Sequence, residues 1–335
     1  MPPVWGRNPL SGWSYVLTEG DAGKSAGQLL KEAGFTKKQI SRQKFLPSGI
    51  CLDGEKCRVT DSGKPGQLLE VNFREADSLE QASAGEKAAR EEAAREIVAG
   101  GTFEKERNME LTDFPDPEIL YEDEYLLAVN KPSGLACHKG RGHYTDHLGN
   151  QVVRYFLQKG RNITVRQIGR LDLDTSGIVL FALDPVTAQR LWKQRQEGQL
   201  VKTYYALVHG RMEQESGQIT LPLGKKPGCK NQMCVFPKGE GLPAETLYSL
   251  HWEKKLSEEY VSCVSCHLKT GRTHQIRVHF SATAHPLLGD KIYGKEDGAK
   301  RLMLHAGELC FIHPYTRQMV KLQARIPWEC ISYLK

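Results

Sequence analysis

The stretch that most constrains this chain is Ile178-Val179-Leu180-Phe181-Ala182-Leu183, a continuous apolar run entered through the polar turn Asp174-Thr175-Ser176-Gly177. A short apolar run bounded by turn residues reads as a buried strand. The end of such a strand is a rigid mount for a reactive side chain. At this mount the segment Ile168 to Gly177 crowds two carboxylates, one arginine and a Thr-Ser pair. By local chemistry alone, Asp174, Thr175 and Ser176 read as an Asx or ST turn that satisfies backbone N–H groups.

The rest of the chain bounds what that mount serves. Of 335 residues, 39% are hydrophobic and 26% charged, as in an ordinary globular protein, and the length predicts two domains. The formal net charge of +6 suits an anionic partner such as RNA without demanding one. The segment Met1 to Asn8 lacks the apolar core of a secretory signal, and no apolar run is long enough to span a membrane. A cytoplasmic protein with no membrane contact is therefore expected, its nine scattered cysteines mostly free thiols.

Residues 14–74 read as one compact unit. Ser25 is placed to cap a helix through Ala33 that Gly34 closes, and Thr36 to cap a second through Phe45. Lys37, Lys38, Arg42 and Lys44 make the second helix basic. Ile50-Cys51-Leu52, a turn at Asp53-Gly54 and Lys56 to Val59 form a hairpin that sets Cys51 against Cys57, and Leu68 to Phe73 alternates as a strand. Residues 75–114 differ in composition. Glu86 to Glu96 is rich in helix formers, with Glu86/Arg90 and Glu91/Arg95 spaced four apart, acid first. It has almost no apolar stripe, so it reads as a charged helical linker ended by Gly100-Gly101.

Residues 115–335 read as a larger domain. Ile119 to Val129 is strand, turn, strand. Asp184-Pro185 starts a helix that Gly198 ends. Leu200 to Val208 alternates, with Lys202, Tyr204, Ala206 and Val208 on one face and Tyr205 on the other. Val261 to Leu268 is another strand, and Gly271 to Phe280 begins as a turn and continues as a helix.

Several motifs stand in order along this larger domain. Arg170-Leu171-Asp172 with Asp174-Thr175-Ser176-Gly177 resembles the H-R-L-D-x-x-T-S-G motif of the RluA-type pseudouridine synthases, with Gly169 in place of the histidine. Asn130-Lys131-Pro132-Ser133-Gly134, Lys202-Thr203-Tyr204-Tyr205-Ala206-Leu207-Val208-His209-Gly210 and Thr270-Gly271-Arg272-Thr273-His274-Gln275-Ile276-Arg277-Val278-His279 are similar to further motifs of that family. His285 to Asp290, Tyr293-Gly294 and Arg301 to Ala306 complete the likeness, which covers about 115–335. The first unit in turn resembles an RNA-binding module first described in a small-subunit ribosomal protein, through Ser41-Arg42 and Gly49 to Gly54.

The resemblance implies an α+β fold: a mixed, largely antiparallel sheet with flanking helices in the catalytic domain, and a small α+β N-terminal RNA-binding domain. It implies isomerisation of uridine in RNA to pseudouridine, chemistry that calls for no metal and no cofactor. Asp172 is then the catalytic aspartate, Arg277 the cation that partners it, and Tyr204 the active-site aromatic, able to stack on the uracil. Arg170 would fill the space left by a flipped nucleotide, while Lys131, Lys202 and Arg42 would contact phosphates. The expected partner is structured RNA, ribosomal ahead of transfer RNA, bound by a monomer.

Three rival readings compete with this one. Cys263-Val264-Ser265-Cys266-His267 spells a haem-attachment pattern, but it lies within an alternating strand and no export signal accompanies it; the two cysteines fall on opposite faces of that strand, which suits a shared zinc poorly. Asp172 and Asp174 could be the acid pair of a glycosidase, but two residues of one turn rarely flank a sugar. The third is a non-catalytic RNA-binding or ribosome-assembly factor, which the presence of Asp172, Tyr204 and Arg277 together argues against.

Overall fold

In a computed structural model of the chain, residues 6–8, 12–46, 48–72, 102–103, 115–138, 146–229, 232–256 and 259–330 are described. The chain divides into two units, Met1–Ile97 with Pro314–Arg317, and Val98–His313 with Gln318–Lys335.

In the first unit, strands β1 (Gly6–Asn8), β2 (Gly12–Val16), β3 (Ile50–Leu52), β4 (Glu55–Lys56) and β5 (Leu68–Asn72) form a sheet of order β1-β2-β5-β3-β4. Two helices, α1 (Ala26–Glu32) and α2 (Lys37–Gln43), start at Ser25 and Thr36. Each start is a capping box: Ser25 pairs reciprocally with Gln28, and Thr36 with Gln39. Gly34 takes a φ of +96° just past α1, the conformation that closes a helix at low cost in glycine. Leu29, Leu30, Ile50, Leu69 and Val71 make the core, while Lys37, Lys38, Arg42 and Lys44 are exposed. Details differ from the sequence reading. Helix α2 stops at Gln43, two strands precede or overlap the expected start, and the second arm of the hairpin is only Glu55–Lys56. Cys51 pairs with Lys56 rather than Cys57, since a two-residue turn sets the register.

The second unit carries β6 (Thr102–Phe103), β7 (Glu118–Glu122), β8 (Leu126–Lys131), α3 (Leu148–Gln158), β9 (Val165–Ile168), β10 (Ser176–Ala182), α4 (Pro185–Gln196) and β11 (Val201–His209). It continues with β12 (Ser216–Ile219), β13 (Leu223–Lys225), β14 (Met233–Val235), β15 (Thr246–Leu256), β16 (Glu259–Leu268), α5 (Gln275–Ala282), β17 (Leu304–Ile312) and β18 (Met319–Gln323). Among the described residues, eleven of these strands form one sheet whose main path is β12-β15-β16-β11-β17-β10-β8-β7. The fold is α+β, and the sheet is mixed and largely antiparallel: β10 and β17 are the one parallel strand pair described. Of the segment read as a charged linker, β6 pairs with β9; Glu86 to Glu96 lies outside the described residues.

The apolar run explains itself in this sheet. Every residue of β10 is buried. Val179 and Phe181 join Val152, Val153 and Phe156 of α3 on one face. Ile178, Leu180 and Ala182 join Leu191 of α4 and Leu309 and Phe311 of β17 on the other. A strand covered on both faces cannot alternate polar with apolar. Helix α3 was not legible because His147, a poor N-cap type by statistics, caps it by accepting from the Asn150 N–H. Helix α4 was legible because Asp184 accepts from the Val186 and Thr187 N–H groups and Pro185 follows it.

The join between the two halves of the sheet sits at Gly177. Its φ is +116°, and a Cβ there would lie 2.3 Å from the Ala306 carbonyl oxygen and 2.6 Å from its nitrogen. Only glycine lets β10 come this close to β17. Gly177→Ala is expected to lower stability by about 2–4 kcal/mol, from overpacking against backbone and a strained φ, read from the urea midpoint. A midpoint unchanged from wild type would show that the strands can part without cost.

Candidate active site

The catalytic-type loop Leu171 to Asp174 is pinned from below by the segment that follows β8. The Leu173 carbonyl accepts from Lys131 Nζ at 2.9 Å and from the Gly134 N–H at 3.0 Å. Ser133 Oγ donates to the Asp174 carbonyl at 2.7 Å, and Cys137 Sγ to the Leu171 carbonyl at 3.3 Å. Lys131 Nζ also donates to the carbonyls of Pro132 and Leu135. At the strand end, Ser176 Oγ accepts from Arg301 Nη2 at 2.6 Å and lies 2.7 Å from His305 Nδ1. The hydroxyl of Ser176 therefore ties β10 to β17, rather than serving the turn as the local chemistry suggested.

Above the loop opens a cavity of about 570 Å³, within the range of small-molecule and nucleotide sites. Arg170, Asp172, Lys202, Tyr204 and Arg277 all line it. Asp174 does not, so the two aspartates do not flank a common substrate. Six lysine or arginine side chains line it (Arg170, Arg195, Lys202, Lys269, Arg272 and Arg277), against the carboxylates of Asp172 and Glu197. The balance favours an anionic ligand.

Sheet register delivers Tyr204 to this cavity. Tyr204 pairs with Ala306, which pairs on its other side with Gly177. The β11·β17 register slips between Thr203 and Tyr204, leaving Gly307 as the extra residue of a bulge, a device that re-aims a side chain. Tyr204 packs against the cores of both sheet halves. Burial pushes its phenol well above the ordinary range, with the Asp172 charge adding to the effect and Arg195 opposing it. At neutral pH it is a hydrogen-bond donor, not a phenolate.

Arg277 stands in α5. The helix begins at His274, whose φ of +55° is unusual for a non-glycine residue, and whose Nδ1 lies 2.7 Å from the Tyr293 hydroxyl. Arg277 grips Asp290 side-on, with Nε to Oδ2 at 2.8 Å and Nη2 to Oδ1 at 2.6 Å, both residues buried. Burial alone would raise the Asp290 carboxyl; Arg277 and the N–H groups of Ile292 and Tyr293 reverse this and hold it below its ordinary value. Burial works against the charge of Arg277, and the Asp290 contact, with the Asp172 charge after it, holds the group above its ordinary value. Asp172 itself makes no side-chain hydrogen bond or ion pair among the described residues, and it is half-buried with its carboxylate at the cavity.

The chain is similar to several known proteins. A family described as RNA pseudouridylate synthase matches residues 125–282. The uncharacterized RNA pseudouridine synthase YjbO of Bacillus subtilis is 31% identical over 315 residues, which are 91% of this chain and 96% of that protein. The chain belongs to the RNA pseudouridine synthase family. The dual-specificity RNA pseudouridine synthase RluA of Vibrio cholerae is 38% identical over 62% of this chain and 83% of its own. The structure of human RNA Pseudouridylate Synthase Domain Containing 1 aligns with a TM-score of 0.55 at 28% identity, over 66% of this chain and 87% of that one.

Within this pseudouridine synthase, the structure revises several residues singled out in the sequence. Arg277 makes its two-pronged carboxylate contact with Asp290, and among the described residues no ion pair within 4 Å joins it to Asp172. Lys131 is fully buried and its three acceptors are backbone carbonyls, so it cannot reach an RNA phosphate. Burial lowers its ammonium to about 8. Lys202 lines the cavity but donates to the Ile178 carbonyl at 2.8 Å; burial, then the charge of Arg195, lower it to about 8. Arg42 is exposed on α2 of the other unit. Cys263 and Cys266 fall into separate packed layers, and among the described residues no cluster of three His, Cys, Asp or Glu is spaced for a metal. Sequence reasoning passed over Arg195, whose only sequence signal was its place in the last turn of a helix.

Lys131 is thus a positioning residue, and its substitution separates that role from phosphate binding. Lys131→Met is expected to cost roughly 1–3 kcal/mol for the carbonyls left unpaired and to lower the turnover rate. Its affinity for RNA and the salt dependence of that affinity should stay at wild-type values. A flattened salt dependence would return Lys131 to the phosphate-binding role.

Proposed function

We propose that this RNA pseudouridine synthase modifies ribosomal RNA, with Asp172 as its catalytic carboxylate. The observation that carries the reading is the contrast among the carboxylates at the site. Asp290 is consumed by Arg277 and Asp174 lies off the cavity, whereas Asp172 faces it with no side-chain partner among the described residues. The reaction exchanges the C1′–N1 glycosidic bond of uridine for a C1′–C5 bond; C5 gives up a proton and N1 gains one. No oxidation state changes overall, so the chemistry needs no redox cofactor. It needs a carboxylate at the sugar and base, in a site sheltered from water. Tyr204, protonated, stacks on or donates to the detached uracil. Arg277, locked by Asp290 and Tyr293, supplies fixed positive charge to the cavity that Asp172 faces. Arg170, exposed at the rim, enters the stack in place of the flipped nucleotide.

Ribosomal RNA is favoured because relatives carry that substrate in their names. Ribosomal large subunit pseudouridine synthase C of Buchnera aphidicola is 39% identical over 64% of this chain and 69% of its own. Residues 14–74 serve as an RNA-binding module, 75–114 as a linker and 115–335 as the catalytic domain. The exposed Lys37, Lys38 and Arg42 on α2 give the module its affinity for phosphates. The enzyme works as a monomer in the cytoplasm, where its RNA is.

Pseudouridine mapping across all RNAs of cells lacking this gene tests the reading. Sites in ribosomal RNA should vanish and return with the wild-type gene but not with Asp172→Asn, whose rate should fall at least about 10²-fold. Restoration by Asp172→Asn would remove Asp172 from the mechanism, and loss confined to transfer RNA would reassign the substrate. Separately, replacing Lys37, Lys38 and Arg42 by glutamine should flatten the slope of log affinity against log salt by about 2–3; an unchanged slope would take RNA contact away from α2.

A further inference from the structure

Arg195 lines the same cavity and has no work in the account above. It stands in the last turn of α4, where a cation complements the helix dipole, but its guanidinium does not sit in solvent. A Cβ built on Gly169 would lie 2.9 Å from Arg195 Nη1, and one on Gly271 3.2 Å from Nη2. The head group is thus lodged between the loop that leads into Asp172 and the loop that leads into α5. Nη1 is buried with no hydrogen-bond partner, and among the described residues no carboxylate lies within ion-pair distance of the guanidinium. Lys202, a second cation of this cavity, is also without a carboxylate partner among them; its ammonium meets only the Ile178 carbonyl.

Two cations at one cavity, neither with a carboxylate within ion-pair distance among the described residues, are costly unless a ligand brings negative charge. We propose that Arg195, with Lys202 beside it, forms a binding site for a phosphodiester of the RNA strand at the reacting uridine. The uracil ring is neutral and would leave both charges uncompensated. The sugar is neutral as well, so the backbone phosphate is the one group of an RNA substrate that answers the charge. A guanidinium presents paired N–H donors that match two phosphate oxygens. Gly169, three residues before Asp172, places the phosphate at the reacting nucleotide or its neighbour; that placement rests on Asp172 as the catalytic carboxylate. The proposal also gives Gly169 a reason, since a side chain there would need the space that Arg195 fills. Its φ of +74° adds strain to any replacement.

The test uses the full-length protein and a fluorescein-labelled RNA stem-loop with uridines in a single-stranded loop, its affinity measured over a range of salt. Arg195→Gln should weaken binding and flatten the slope of log affinity against log salt by about 0.7–0.9, one phosphate contact. Arg195→Lys should keep the wild-type slope. A wild-type slope in Arg195→Gln overturns the proposal, including the case in which affinity falls, because that pattern belongs to contact with a neutral group. If Arg195→Gln does not fold by circular dichroism, a scan on the wild-type protein decides. Neutral methylphosphonate linkages are placed one at a time along the loop. One linkage should weaken binding well beyond the others, and a uniform response along the loop overturns the site. Because binding is read without turnover, these outcomes do not depend on whether Asp172→Asn abolishes activity.

Discussion

The contact between Gly177 and Ala306 organises the second unit. It is where β10 meets β17, the one parallel pair of strands described, and where the two sheet halves are joined. On one side of Ala306 lies the end of the Asp172 loop, on the other Tyr204. The distance between backbone atoms at this contact leaves no room for a Cβ. The catalytic-type loop and the aromatic side chain share one cavity because these two strands share one residue as neighbour. A wider spacing would separate chemistry that lies about 30 positions apart in the chain.

Around that join the charged groups are sorted by what they touch. Lys131 is turned inward onto carbonyls and holds the loop that carries Asp172. Arg277 is held by Asp290. Both residues are fixed by partners within the protein. Asp172, Arg195 and the rim Arg170 line the cavity without an ion-pair partner among the described residues. Division of labour between held and unheld charges gives the cavity a basic character without filling it.

Much of the architecture was readable from local rules. Ser25 and Thr36 with a glutamine three residues on start helices, Asp184-Pro185 starts another, and the unbroken run Ile178 to Leu183 marks a strand covered on both faces. What escaped was set by partners distant in sequence or by an uncommon cap. Helix α3 begins at a histidine, and His274 adopts a left-handed φ supported by Tyr293. The first of these starts carries no local signature that a sequence reading would pick out; α5 itself lies where Gly271 to Phe280 reads as a turn and then a helix, and only its left-handed start escaped.

The sequence by itself determined the class of fold, the family and five of the residues that line the cavity, Arg170, Asp172, Lys202, Tyr204 and Arg277, because motif spacing, caps and apolar periodicity act over short stretches of chain. Only the tertiary structure decided what each charge does. Lysine and arginine in a motif carry the same formal charge whether they face solvent, a carbonyl or a carboxylate. Their neighbours, Leu173 for Lys131, Asp290 for Arg277 and Gly169 for Arg195, come from other elements, brought near by strand order and by two glycines that let backbone and guanidinium approach.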